Sequence, residues 1–203
     1  MIISTSQSRI WGKGNHQINS IHTLNKVITS FGTAFLKAGD PLYGEIELIG
    51  TYIAGAGMDV CSGGYGGSME AISKGAKMAG GFVTGITVKG RAAELNPYVD
   101  NNIAAENLMD RIIRLINIAD AYIIFKGGTG TLLEISATLE LMNKKAIPEK
   151  FLIFYGSNWK EVVSSLKDDS EYLTGLLERN VRFIKTPEEI TEILNIIQSK
   201  IHL

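Results

Sequence analysis

A chain of 203 residues with 45% hydrophobic and 20% charged residues can fill one sizeable core and is too apolar to be disordered. Its 20 basic and 21 acidic residues leave a net charge of −1, so no global positive field is available to hold a nucleic-acid backbone. The lone cysteine, Cys61, excludes an internal disulfide and any multi-cysteine metal site.

The N-terminus lacks the positively charged start and apolar run of a signal peptide, and no stretch approaches the roughly 18 apolar residues of a membrane span. A cytoplasmic protein without membrane contact is expected. Residues 1–25 read as an N-terminal extension, with a turn at Gly12-Lys13-Gly14-Asn15 that suits a hairpin, ahead of one domain over 26–203.

From there the chain alternates. Val27–Phe31 is the first strand, and Leu42, Ile46, Ile49 and Ile53 recur at helical spacing over 42–54. Met58–Cys61 is the second strand, followed by a helix over 68–79 that ends at Gly80-Gly81. Phe82–Val88 is the third strand. A loop with Asn96-Pro97 then leads into a helix expected over 102–118. Ala121–Phe125 is a continuous apolar run of the kind buried on both faces of a parallel sheet. A glycine turn follows it, then a helix over 131–143, a strand at Phe151–Tyr155, and helical stretches over 159–167 and 170–179. Val181–Ile184 is the last strand. The final helix opens at Thr186-Pro187-Glu188-Glu189, where Thr186 can cap, Pro187 suits the first helical position and Glu189 holds the capping-box place. Strand and helix alternating at these lengths predict a single-domain α/β fold, an open parallel sheet with right-handed crossovers and helices on both faces.

Ligands in such sheets bind beyond the carboxyl ends of the strands. Three strand ends carry glycine: Gly32-Thr33-Ala34, Gly63-Gly64-Tyr65-Gly66-Gly67 and Gly127-Gly128-Thr129-Gly130-Thr131. Glycine lets the backbone approach a ligand, and a helix start offers unpaired N–H groups with the positive end of a dipole. The third segment runs straight into an apolar-periodic helix, so its amides and the Thr131 hydroxyl can hold a phosphate. The bland alternative is that these glycines only permit tight turns. The dinucleotide fingerprint is absent, because Leu133 stands where its third glycine belongs, and no Gly-Lys-Ser/Thr follows the turn as in a P-loop. A mononucleotide or sugar phosphate fits better than NAD or ATP, and no cofactor is expected.

Glu134, in the first turn of that helix, is either a plain dipole partner or a group that holds hydroxyls or activates water. Arg111 and Arg114 share one face of the helix before the fourth expected strand, and a solvated face is the simpler reading of both. Lys126 beside the turn is open to both readings, phosphate anchor or solvated lysine. Cys61 reads as a small buried hydrophobe. His16, His22 and His202 lie away from every glycine segment, and no ligand-spaced cluster suggests a metal.

The stretch Lys126-Gly127-Gly128-Thr129-Gly130-Thr131-Leu132-Leu133-Glu134 resembles the Pro-Gly-Gly-x-Gly-Thr-x-x-Glu signature of the Lonely Guy (LOG) family. Upstream, Met109-Asp110-Arg111 is similar to that family's Glu-Arg-Lys helix, Ser62–Met69 to its second glycine block, and Phe31-Gly32-Thr33 to its first strand end. The resemblance covers about residues 26–145. It implies a modified Rossmann fold and cleavage of the N-glycosidic bond of nucleoside 5′-monophosphates to free base and ribose 5-phosphate. It further implies that Glu134 contacts the ribose and assists attack of water, while Arg111 stabilises the leaving base or the phosphate. Gly127, Gly128, Thr129, Gly130 and Thr131 would hold the 5′-phosphate, and Gly32, Thr33, Gly63 and Gly64 would shape the rest of the pocket. A homodimer or higher homo-oligomer is implied as well. Lys126 departs from the signature proline, Ile112 from the lysine, and Leu133 from a frequent acid. Relatives in the wider fold group include non-catalytic carriers of molybdenum cofactor, so a carrier of a phosphorylated, nucleotide-like ligand is the alternative expectation.

Overall fold

The computed structural model describes residues 25–167 and 170–199, so the expected hairpin, His16, His22 and His202 lie outside the described residues. Seven strands form one sheet: β1 (Val27–Phe31), β2 (Asp59–Ser62), β3 (Val83–Val88), β4 (Asn101–Ala105), β5 (Ala121–Ile124), β6 (Phe151–Tyr155) and β7 (Val181–Ile184). Their order is β4-β3-β2-β1-β5-β6-β7, every pair parallel. The chain thus starts at the middle, winds outward to β4, then returns to the other side of β1 to lay down β5. The strand order reverses between β1 and β5, the place where open α/β sheets form their ligand crevice.

Alternation along the strands builds two cores. Ile28, Val60, Ile123 and Ile153 face α1 (Pro41–Gly55), α2 (Ser68–Met78) and α7 (Ile190–Ser199), meeting Ile46, Ile49, Ile53, Ile72 and Leu194. Phe31, Cys61, Ile86, Tyr122, Ile124 and Phe154 face the opposite way. They pack on α3 (Leu108–Ile118), α4 (Thr129–Asn143) and α6 (Glu171–Asn180), with α5 (Lys160–Ser164) closing one end. The unbroken apolar run of β5 is explained by this: Ala121 and Ile123 serve one core, Tyr122 and Ile124 the other. Each large side chain so buried contributes about 1.5–3 kcal/mol. Helices α1 and α2 pack backbone to backbone. A Cβ at Gly50 would run into the Ile72 carbonyl, and one at Gly75 into the Glu47 backbone.

Two expectations need correction. The helix expected over 102–118 is two elements, because Asn101–Ala105 is β4, paired parallel with β3. This is an edge strand with Asn101 and Asn102 exposed, so it carries none of the apolar signal of a central strand, and Asn102 Oδ1 instead accepts from Thr87 Oγ1 at 2.9 Å. Helix α3 starts where Asn107 caps it, its side chain accepting from Asp110 N–H at 3.0 Å while Asp110 accepts from Glu106 N–H at 2.9 Å. At the last helix, Thr186 makes no side-chain cap bond. Pro187–Glu189 form a 3-10 turn, and Glu189 accepts from Lys185 N–H at 2.9 Å.

Candidate functional site

The carboxyl ends of β1, β2, β3 and β5 open into a cleft of about 800 Å³. Its walls include Gly32, Thr33, Gly63, Tyr65, Met69, Arg91, Glu94, Arg111, Lys126, Glu134 and the whole Gly127–Thr131 turn. The loops that form it are tied to one another. Thr33 N–H donates to Lys126 O at 3.0 Å, and both the N–H and the hydroxyl of Ser68 donate to Thr33 O at 2.9 Å. Trp159 Nε1–H donates to Phe125 O at 2.9 Å, which fixes the chain just before the glycine turn.

Helix α4 begins inside this cleft. The Leu132 amide bonds back to Gly128 O at 3.0 Å, and among the described residues no backbone carbonyl pairs with the amides of Thr129, Gly130 and Thr131. These are the orphan donors of a helix start, aligned with the positive end of its dipole. Gly127 is required by space, since the Thr131 side chain occupies the position a Cβ would take. Gly128 and Gly130 have nothing around that position, so the backbone there is bare toward the cleft. A bare helix start of this kind is able to receive a phosphate or a carboxylate.

Arg111 and Glu134 meet on the floor. Arg111 is 7% exposed, its Nε donating to Ile86 O at 2.7 Å and its second terminal nitrogen lying 3.8 Å from Met69 Sδ. Its Cζ stands 5.5 Å from the Tyr65 ring centroid. The simpler reading of Arg111 and Arg114 as one solvated face is therefore corrected: Arg111 turns inward under β3, while Arg114 stays at the surface with Asp110, Nε to Oδ1 at 2.8 Å. Gly63 makes room for this, because a Cβ there would fall on the Arg111 guanidinium. Glu134 is 9% exposed, and its Oε1 is 3.9 Å from Arg111 Nη1. That separation is too long for a direct hydrogen bond and suits a ligand hydroxyl bridging the two. Burial pushes the Glu134 carboxyl up to about 7, with Arg111 holding it back. Burial likewise lowers the Arg111 pKa, opposed by Glu134, yet a guanidinium stays charged.

Among the residues singled out in the sequence, Gly32, Thr33, Gly63, Gly127, Gly128, Thr129, Gly130, Thr131, Arg111 and Glu134 all border the cleft. Gly64 does not. It turns away at φ 75 and packs its Cα region against Thr87, Leu95 and Gly85. Lys126 is exposed at the cleft edge, and Ile112 is 1% exposed inside the second core, so its side chain has no route to the ligand. Cys61 is fully buried and its thiol is pushed up to about 12 by that burial, which leaves it an inert hydrophobe. Tyr65 and Met69 lie inside the glycine block read from the sequence without being named there as site residues, and Arg91 and Trp159 stand in no motif. Only the aromatic character of Tyr65 inside a glycine-rich segment could have drawn notice.

Among the described residues no helix is long and apolar enough to cross a membrane. The model of the SLOG cluster4 family matches residues 26–176. An uncharacterized protein of Archaeoglobus fulgidus is 38% identical over 93 residues, which is 45% of this chain and only 60% of that protein's length. Among solved structures, the molybdenum cofactor binding protein of the phototrophic bacterium Rippkaea orientalis superposes with a TM-score of 0.67 at 24% identity, over 86% of this chain and 98% of that one. The molybdenum cofactor carrier protein of Chlamydomonas reinhardtii does so with a TM-score of 0.68 at 20% identity, over 86% and 99%. These two likenesses establish the fold, a Rossmann-like open parallel sheet with helices on both faces. With three quarters of its length matched by the family model, the chain belongs to the SLOG cluster4 family.

Proposed function

We propose that the protein hydrolyses the N-glycosidic bond of a nucleoside 5′-monophosphate, releasing free base and ribose 5-phosphate. The observation that carries this reading is the pairing of buried Glu134 with buried Arg111 in the same cleft as the open N-terminus of α4. The 5′-phosphate binds the Thr129, Gly130 and Thr131 amides, and the ribose lies over Glu134. As the C1′–N bond breaks, its electron pair leaves with the base and positive charge develops on the sugar. A carboxylate beneath the ring stabilises that charge and takes a proton from the water whose oxygen attaches to C1′, while solvent water protonates the departing base nitrogen and the carboxyl later returns its proton to solvent. Arg111 supplies a fixed cation toward the departing base. Incubation with a panel of nucleoside 5′-monophosphates, with free base read by chromatography, tests this; no release from any of them sinks it.

A second reading, a carrier that binds a phosphorylated, nucleotide-like ligand without cleaving it, is supported by the molybdenum-cofactor proteins that share the fold. It requires saturable binding without base release and an affinity that survives loss of the Glu134 charge.

The assembly expected is a homodimer. Leu108, Met109 and Ile113 on α3 and Leu132 and Leu133 on α4 are exposed apolar side chains, on helices that also border the cleft. Light scattering should give twice the chain mass, and Ile113→Lys with Leu133→Lys should return it to the monomer. A monomeric wild type at micromolar concentration overturns this.

A further inference from the structure

The cleft is longer than a sugar phosphate needs. The glycine turn follows β5 and the loop carrying Arg91 and Glu94 follows β3, three strand spacings or about 14 Å apart along the strand ends. That loop is held in place. Gly90 turns the chain at φ 71, and the Arg91 amide bonds to Val88 O at 3.3 Å. Buried Asn96 then staples it to the loop after β2: its N–H donates to Gly64 O at 2.9 Å and its Nδ2 donates to Tyr65 O at 3.0 Å. Tyr65 is pinned in turn, its hydroxyl accepting from Val88 N–H at 3.0 Å.

Two guanidinium groups share the Tyr65 ring. Arg91 Cζ lies 5.0 Å from the centroid and Arg111 Cζ 5.5 Å, close enough that Arg91 adds to the depression of the Arg111 pKa. Arg111 has Glu134 as counter-charge. No ion pair among the described residues uses Arg91 or Glu94. Both border the cleft, so a ligand reaching this end meets a cation with paired donors and a carboxylate with paired acceptors, neither spent on the other. Stacking on Tyr65 pre-organises the Arg91 fork, which lowers the entropy lost on binding.

A guanidinium fork fits two neighbouring acceptors, such as O6 and N7 of guanine, and a carboxylate fits the N1–H and N2–H donors on the adjoining edge. Adenine presents an amino group where guanine has O6, which sets donor against donor at Arg91 and leaves Glu94 facing an acceptor. We propose that Arg91 and Glu94 select a ligand ring bearing the 2-amino-4-oxopyrimidine edge, shared by guanine and pterins, over adenine. This deepens the proposed function and rests on its placement of the phosphate at the glycine turn.

Calorimetric titration of the full chain with GMP, IMP, AMP and 6-hydroxymethylpterin tests it. GMP should bind about 10-fold or more tighter than AMP, with IMP, which lacks the 2-amino group, between them. Arg91→Met and Glu94→Ala should each bring the GMP-to-AMP ratio toward one. Competition by 6-hydroxymethylpterin against GMP extends the same recognition to pterins, and failure to compete overturns that half. Equal affinity for GMP and AMP, or a GMP preference unchanged in Arg91→Met, overturns the whole. The readout is binding, so a GMP preference without base release rejects hydrolysis alone, base release without preference rejects this selection alone, and no binding by any probe rejects both.

Discussion

Glu134→Gln is expected to lower base release from a nucleoside 5′-monophosphate by about 10²–10⁴-fold while leaving KM for the nucleotide nearly unchanged. Glutamine keeps the shape of the side chain and one oxygen acceptor for a ribose hydroxyl, so the ground-state complex survives. It cannot take a proton from the attacking water, and it carries no charge to set against the positive sugar of the transition state. The loss therefore falls on kcat. Arg111→Met has a different signature. It removes the cation 3.9 Å from Glu134 that opposes the rise of that carboxyl, so the pH at which activity appears should move upward as the rate falls. Initial rates over a pH series, with free base separated by chromatography, read both effects. A Glu134→Gln enzyme that works within threefold of wild type removes the carboxylate from the chemistry. Absence of release from every variant, with unchanged nucleotide affinity, is the carrier's behaviour instead.

Spacing alone made the backbone of this site legible, while its two charged side chains, Arg111 and Glu134, were marked out by the family resemblance. The Gly127–Thr131 turn was legible because a bare backbone approach needs glycine and because helical periodicity resumes at once after it. The strand pattern was legible for the same local reason: β5 and β6, covered on both faces, have to be apolar throughout. Arg111 and Arg114, by contrast, cannot be told apart by spacing on a helix. What separates them is a carbonyl on β3, Ile86 O, far away in the chain, and the absence of a Cβ at Gly63. Gly63 and Gly64 are adjacent and both looked like pocket residues, yet a single left-handed turn at Gly64 carries it behind the wall. Strand β4 escaped because an edge strand has half its surface in water and can be built from asparagines. Arg91 had no motif at all, and the ring it lies over, Tyr65, comes from another loop.

The unfolding free energy of wild type relative to Glu134→Gln should fall by about 3 kcal/mol as pH is raised from 4 to 8, measured by urea denaturation at each pH. The carboxyl titrates near its ordinary value of 4.5 in the unfolded chain and at about 7 when folded. Below pH 4.5 it is protonated in both states and adds nothing. Between 4.5 and 7 the folded protein keeps a proton that the unfolded chain has released, so raising the pH draws the equilibrium toward unfolding. Above 7 the group is charged in both states and the full cost of a buried carboxylate remains, beside a cation too distant to bond it directly. Glutamine has no such titration, so the difference between the two curves isolates this one side chain from every surface carboxylate. The same midpoint near 7 should mark the rise of kcat/KM with pH, since the charged form that destabilises the fold is the form that accepts the proton. A flat difference curve means that Glu134 is solvated and titrates like any surface acid. In that case the cleft has no poised base, and the case for hydrolysis loses its physical ground even if a nucleotide binds.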